Sequence, residues 1–138
     1  MNLDAEQAQA LLPQVDPARL YAGCPVGLRD GALLALIAAG FTAVEISGLR
    51  ASSLAMAGGR LQIVVQRGRV VWNATLPVDL GGRVLVWISE RRIWGMEEPL
   101  FIGVRGPLTP FGVRKILDRY GNRKPSQPVR RSRRRRNR

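Results

Sequence analysis

The sequence predicts an α+β fold, mainly helical, with helices packed around a small antiparallel β-hairpin or sheet and a disordered basic C-terminal tail. Three observations predict it. Apolar residues recur at helical spacing in several segments that open on good capping residues. Two β-branched runs face each other across a glycine-containing turn. The Lys/Arg residues crowd into the last stretch of the chain.

The elements follow in order. Leu3-Asp4-Ala5-Glu6-Gln7 opens a helix, with Asp4 as cap and Gln7 three residues on completing a capping box. Ala8, Leu11 and Leu12 supply its apolar face, and Pro13 and Pro17 break the chain into a loop. Leu28–Ala39 reads as a central helix, because Leu33, Leu34, Leu36 and Ile37 leave it apolar nearly all round. Gly40 ends it, and Thr42-Ala43-Val44-Glu45 is a second capping box that opens a short helix through Ile46 and Leu49. Leu61–Val65 and Val70–Leu76 form a hairpin about a turn at Gln66–Arg69, between a Gly58-Gly59 turn and Pro77. Asp79 caps a helix over roughly Leu80–Trp94 that turns Val84, Leu85, Trp87, Ile88 and Ile93 to the core. Its Gly81-Gly82 pair weakens the start. Pro99–Gly103 is extended. Thr109-Pro110 starts the last helix, with Val113, Ile116 and Leu117 inward and Arg114, Lys115 and Arg119 outward, up to Gly121.

Composition bounds the function. The chain has 138 residues, one domain's worth, with 46% apolar and 23% charged residues. The longest apolar run, Ala32–Ala39, is far short of the ~20 residues of a membrane span. Met1–Leu11 has neither a basic start nor an apolar run, against a secretory leader. The single cysteine, Cys24, excludes an internal disulfide framework and a Cys-based zinc site. No histidine is present, which removes the commonest general base and metal ligand. No carboxylates stand at metal-ligand spacing, so neither a metal nor another cofactor is expected. Asp30, Glu45 and Asp79 read as helix-start residues, and only Glu97-Glu98 are adjacent.

The net charge of +12 is uneven. Residues 122–138 hold nine bases (Arg123, Lys124, Arg130, Arg131, Arg133, Arg134, Arg135, Arg136, Arg138) and no acid, leaving thirteen bases against ten acids elsewhere. The expected organisation is a nearly neutral domain, residues 1–121, followed by a cationic interaction tail. Nucleic acid is the first expectation for the tail's target. A solubilising end and an anionic membrane surface are the other two.

Three stretches also carry a resemblance. The first runs from Gly27-Leu28-Arg29-Asp30-Gly31-Ala32-Leu33-Leu34 through Ala39-Gly40-Phe41-Thr42-Ala43-Val44-Glu45-Ile46 to Leu49-Arg50. The second is the hairpin with its Arg67-Gly68 turn, ending in Thr75-Leu76-Pro77. The third is Pro99-Leu100-Phe101, then Gly106-Pro107-Leu108-Thr109 and Gly112-Val113-Arg114-Lys115-Ile116-Leu117. In this order they resemble the N-terminal part of the catalytic domain of the tyrosine recombinase (phage integrase) family, over roughly Leu3–Gly121.

The resemblance implies DNA as partner and a domain truncated before its chemistry. The position matching the family's first catalytic arginine is Thr42, and that matching the hairpin lysine is Arg67. The His-x-x-Arg box and the tyrosine nucleophile would follow the last helix, where this chain has arginines. Thr42 lacks a guanidinium's bidentate charge, and Arg67 is a poor proton donor beside a lysine. Tyr21 lies in a loop and Tyr120 at a helix end that matches no nucleophile. No strand-cleaving activity is expected.

The segment Pro110–Tyr120 resembles the helix that the family lays in a DNA major groove. Arg114, Lys115 and Arg119 would then contact the backbone; otherwise they are a solvated face. Arg67 and Arg69 on the hairpin turn could reach a phosphate, or merely keep an exposed turn soluble. Arg50 reads either way. Trp72, Trp87 and Trp94 sit at core spacing rather than as base-stacking platforms, and Cys24 reads as structural. Leu36, Gly40 and Ile46 also have a helix-turn-helix-like spacing, with Thr42–Leu49 or the segment after it as recognition helix. The function expected is non-catalytic DNA binding, mainly to phosphates, with RNA an alternative for an arginine-rich tail. The protein would be cytoplasmic, and nucleoid-associated where it binds DNA. A second expectation is a protein-interaction module that modulates a full-length recombinase. An apolar patch left by truncation would favour a homo-oligomer.

Overall fold

The computed structural model describes residues 3–92, 95–103 and 105–121. The tail bases Arg123–Arg138, and the core expectation for Ile93 and Trp94, lie outside the described residues. The fold is α+β with helix predominating, as expected.

The first helix, α1 (Ala5–Leu11), forms on the capping box read from the sequence. The Asp4 carboxylate accepts from the Gln7 amide at 2.8 Å, and the Gln7 side chain accepts from the Asp4 amide at 3.0 Å. Pro13 turns its end into a 3-10 turn, Leu12–Gln14.

α2 (Val26–Ala38) starts two residues earlier than expected, after Pro25. Gly27 explains the tight entry: a Cβ there would lie 2.0 Å from the Asp16 carbonyl oxygen, so only glycine lets the preceding loop close over the helix. α2 is the centre of the molecule, with Leu33, Leu34 and Leu36 wholly buried. It ends in a Schellman motif. Gly40, at φ +101°, donates to the Ile37 carbonyl, and Phe41 donates to that of Leu36. The second capping box also forms: the Glu45 amide donates to Thr42 Oγ1 at 3.2 Å, and the Thr42 amide to Glu45 Oε1 at 3.0 Å. α3 (Ala43–Ser47) is a single turn that closes at Gly48, before Leu49.

The hairpin proves to be two arms of a three-stranded antiparallel sheet, β1 (Leu54–Ala57), β2 (Arg60–Arg67) and β3 (Val70–Thr75). β1 pairs through the Gly58-Gly59 turn, Met56 opposite Leu61. Its Ala-Met-Ala sequence has weak β propensity, and the glycine pair was its one signal. The other turn is shorter than expected, because Gln66 and Arg67 belong to β2. Leu61, Ile63 and Val65 form the buried face.

α4 (Val78–Arg91) begins at Pro77 with no side-chain cap, so Asp79 is a first-turn acid and not the cap. Leu85 points outward, 38% exposed, whereas Val84 and Trp87 are buried as expected. Trp87 lies parallel to Phe101 at 6.1 Å, and its indole N–H donates to the Leu100 carbonyl at 2.9 Å. Arg91 pairs with Glu98 at 3.2 Å and donates to the Pro99 carbonyl. The extended segment is half of a small hairpin, β4 (Ile102–Gly103) with β5 (Gly106–Pro107). α5 (Pro110–Gly121) is capped by Thr109, whose Oγ1 accepts from the Gly112 amide at 3.0 Å.

Asp30 corrects its sequence assignment. It is not at a helix start but one turn in, 1% exposed, between α2 and α5. Its Oδ1 takes Arg29 Nε at 3.0 Å and Nη2 at 2.9 Å, and its Oδ2 accepts the Tyr120 hydroxyl at 2.7 Å. Removing one partner of a buried ion pair strands the other. Asp30→Ala is therefore expected to lower unfolding free energy by about 3–5 kcal/mol, and Tyr120→Phe by about 1–2 kcal/mol. Urea titration checks both; equal small losses would show that the carboxylate does not organise the α2–α5 contact.

Candidate nucleic-acid interface

α5 divides its side chains among three directions. Val113, Ile116, Leu117 and Tyr120 are buried. Phe111, Lys115 and Arg119, at four-residue spacing, form one exposed stripe. Arg114 and Asp118 lie on another flank, lining a cavity of about 240 Å³ with Thr42 and Phe41. The three cations expected on one outward face are thus split, and only Lys115 and Arg119 act together.

The stripe borders a groove of about 750 Å³. Its second wall is the β4–β5 hairpin, with Arg105. Its third is the loop before α2, with Arg19 and Tyr21, and Arg29 of α2 lies at the bottom. Five cations and no carboxylate line it among the described residues. Tyr21 and Phe111 stand 63% and 71% exposed on the same groove. Arg19, Lys115, Arg119 and Arg105 make no ion pair with the described residues. A pocket of this composition suits oxyanions and offers two aromatic faces beside them. Arg19, Arg29, Arg105, Tyr21 and Phe111 escaped sequence reasoning because they come from separate loops and helices. The nearest signal was the excess of bases over acids in residues 1–121.

Arg67 corrects the picture of a free turn. Its Nε donates to Glu45 Oε2 at 2.6 Å, and its Nη2 donates to Glu45 Oε1 at 3.1 Å and to the Gly40 carbonyl at 3.2 Å. The guanidinium lies 3.7 Å from the centre of the Trp72 ring, which in turn meets Phe41 at 5.7 Å. Trp72 is thus half-buried under an arginine, and Trp87 is core. Arg69 remains exposed in the turn, with no ion pair to the described residues. Arg50 is structural: its Nη1 donates to the Glu97 carbonyl at 2.7 Å. Half-buried Cys24 pairs with Tyr21 through backbone hydrogen bonds.

The helix-turn-helix expectation meets an obstacle in α3, whose five residues carry one acid and no base. Three residues singled out from the sequence have local roles. Thr42 caps α3, Arg67 pairs with Glu45, and Tyr120 is bonded to Asp30. Among the described residues no cluster of three or more His, Cys, Asp or Glu could hold a metal, and no helix is long and apolar enough to cross a membrane. Neither the models of known protein families nor the curated proteins include a match to this chain.

Burial alone would raise the Glu45 carboxyl's pKa. Hydrogen bonds from Arg67 and from the Thr42 amide, with Arg67's charge, outweigh burial and hold it below its ordinary value of 4.5. A carboxylate whose folded value is depressed stabilises the fold above its unfolded value, and that contribution fades as pH falls through the folded one. Acidification below about pH 5 should therefore erode stability, with Glu45→Gln flattening the slope in urea titrations. Arg67 keeps 38% of its side chain in water. Solvent screening then leaves the ion pair and the Trp72 contact together at about 1–2 kcal/mol, the expected loss in Arg67→Ala. An unchanged urea midpoint would remove Arg67 from the fold's support and return it to the solvent-facing cations.

Proposed function

We propose that this protein is a non-catalytic nucleic-acid-binding protein that holds DNA mainly through its phosphates. The observation that carries the proposal is the acid-free groove, where Arg19, Arg29, Arg105, Lys115 and Arg119 converge. The second support is the nine-base segment 122–138, which adds sequence-independent affinity. Arg69 and Arg114 are exposed and would add contacts at the periphery. Arg67, paired with Glu45, would add little. The motif order along the chain supports a domain resembling part of a tyrosine recombinase, with Thr42 where the family has its first catalytic arginine. Salt bridges to phosphate cannot read sequence, so the expected role is positioning or coating rather than site selection. Bound to DNA, the protein would be nucleoid-associated.

Counterion release provides the test. If the tail engages about five phosphates, the slope of log affinity against log salt is expected near −4 to −5 for the full chain. Lys115→Ala with Arg119→Ala is expected to flatten that slope by about 2. Duplex titration by fluorescence anisotropy at several salt concentrations checks both. A salt-independent affinity refutes phosphate binding, and an unchanged slope in the double variant removes α5 from the interface.

A second reading has its own observation. Val78, Leu85 and Val86 leave an exposed apolar stripe on α4, 65%, 38% and 48% exposed. Such a stripe favours a protein contact, either a recombinase partner or a second copy. Co-purification after nuclease treatment would support that reading over DNA binding alone.

A further inference from the structure

The groove's shape narrows the kind of nucleic acid, on the premise that the protein binds nucleic acid at all. Its volume of about 750 Å³ is that of a small-ligand pocket. A duplex could only lie across such an opening, whereas an unpaired strand can enter it. Two features inside favour entry.

The first is aromatic. Trp87, Phe101 and Phe41 are buried, while Tyr21 and Phe111 remain mostly in water on the rim of the cationic groove. In a duplex the base faces are already stacked on one another. Only unpaired bases offer a face to these rings. An acidic peptide would satisfy the cations but has no comparable flat surface.

The second is Arg29. The residue is 5% exposed and lines the groove. Nε and Nη2 are turned to Asp30, whose other oxygen accepts the Tyr120 hydroxyl. Nη1 has no hydrogen-bond partner among the described residues and lies against Gly103, where a Cβ would stand 3.8 Å from it. A guanidinium held on one edge and open on the other is a preorganised donor for a phosphate oxygen.

We propose that the groove between the loop before α2, the β4–β5 hairpin and α5 binds a single-stranded polynucleotide, its bases on Tyr21 and Phe111 and a phosphate oxygen on Nη1 of Arg29. Fluorescence anisotropy of the full-length protein with oligo(dT), oligo(rU) and a duplex of equal length tests this, the first two arms separating DNA from RNA. Tyr21 and Phe111 are mostly exposed and lie outside the hydrophobic core, and Tyr21→Ala and Phe111→Ala are each expected to weaken strand binding about tenfold while leaving the duplex within about twofold. Arg29→Lys keeps a positive charge beside Asp30 and is expected to weaken the strand more than the duplex, with thermal melting reporting the fold independently.

Equal losses on strand and duplex would overturn the single-strand assignment and leave phosphate binding standing. Unchanged binding of every probe by both ring variants would overturn the groove and place the nucleic acid on other cations. Displacement of the strand by polyglutamate at equal charge concentration would overturn it in favour of an acidic peptide. Failure of the wild-type protein to bind any probe would overturn both the groove assignment and the nucleic-acid reading.

Discussion

The Asp30 carboxylate is the interaction on which the arrangement depends. α2 runs through the centre of the molecule, where an unpaired charge would be severely destabilising. Arg29 and Asp30 enter that environment as neighbours and neutralise each other. The second carboxylate oxygen then accepts the Tyr120 hydroxyl from a helix ninety positions away. One acid thereby joins the first half of the fold to its last helix, and it orients Arg29 toward the groove. α5 carries the Phe111, Lys115 and Arg119 stripe, so the same contact sets where that stripe faces.

The remaining arginines divide by what they meet. Arg67 bonds to Glu45 and the Gly40 carbonyl and lies over Trp72, so it ties the second sheet strand to the turn between α2 and α3. Arg91 holds Glu98 and Pro99 against the end of α4, and Arg50 holds the backbone at Glu97. These three act on the fold. The groove cations Arg19, Arg105, Lys115 and Arg119 have no such partners among the described residues, and their charge is available to a ligand. A basic protein is therefore not uniformly a nucleic-acid surface. The informative feature is which cations the fold has left unneutralised.

The resemblance to a recombinase domain and the groove lead to related conclusions by different routes. The motifs are a likeness in sequence order and say nothing of what Thr42 or Arg67 does. The geometry gives both a local role, in a helix cap and an ion pair. Neither residue lines the groove, whose cations converge independently of any resemblance.

What the sequence determined by itself was local. Both capping boxes, the glycine that ends α2, the Thr109 cap of α5 and the largely apolar character of the central helix were legible, because their partners lie within a turn or two along the chain. β1 was not legible, since Leu-Ala-Met-Ala becomes a strand only by pairing with β2. The beginning of α2 was set by the loop that closes over Gly27. Asp30 and Arg67 were misplaced for one reason: Tyr120 and Glu45 are distant in sequence, and an ion pair or hydrogen bond is decided by distance in space. The groove shows this most plainly. Its lining extends from Arg19 to Arg119, and only packing around α2 makes those scattered cations neighbours. Charge composition gave the excess of cations, but tertiary structure decided which of them the fold left unpaired.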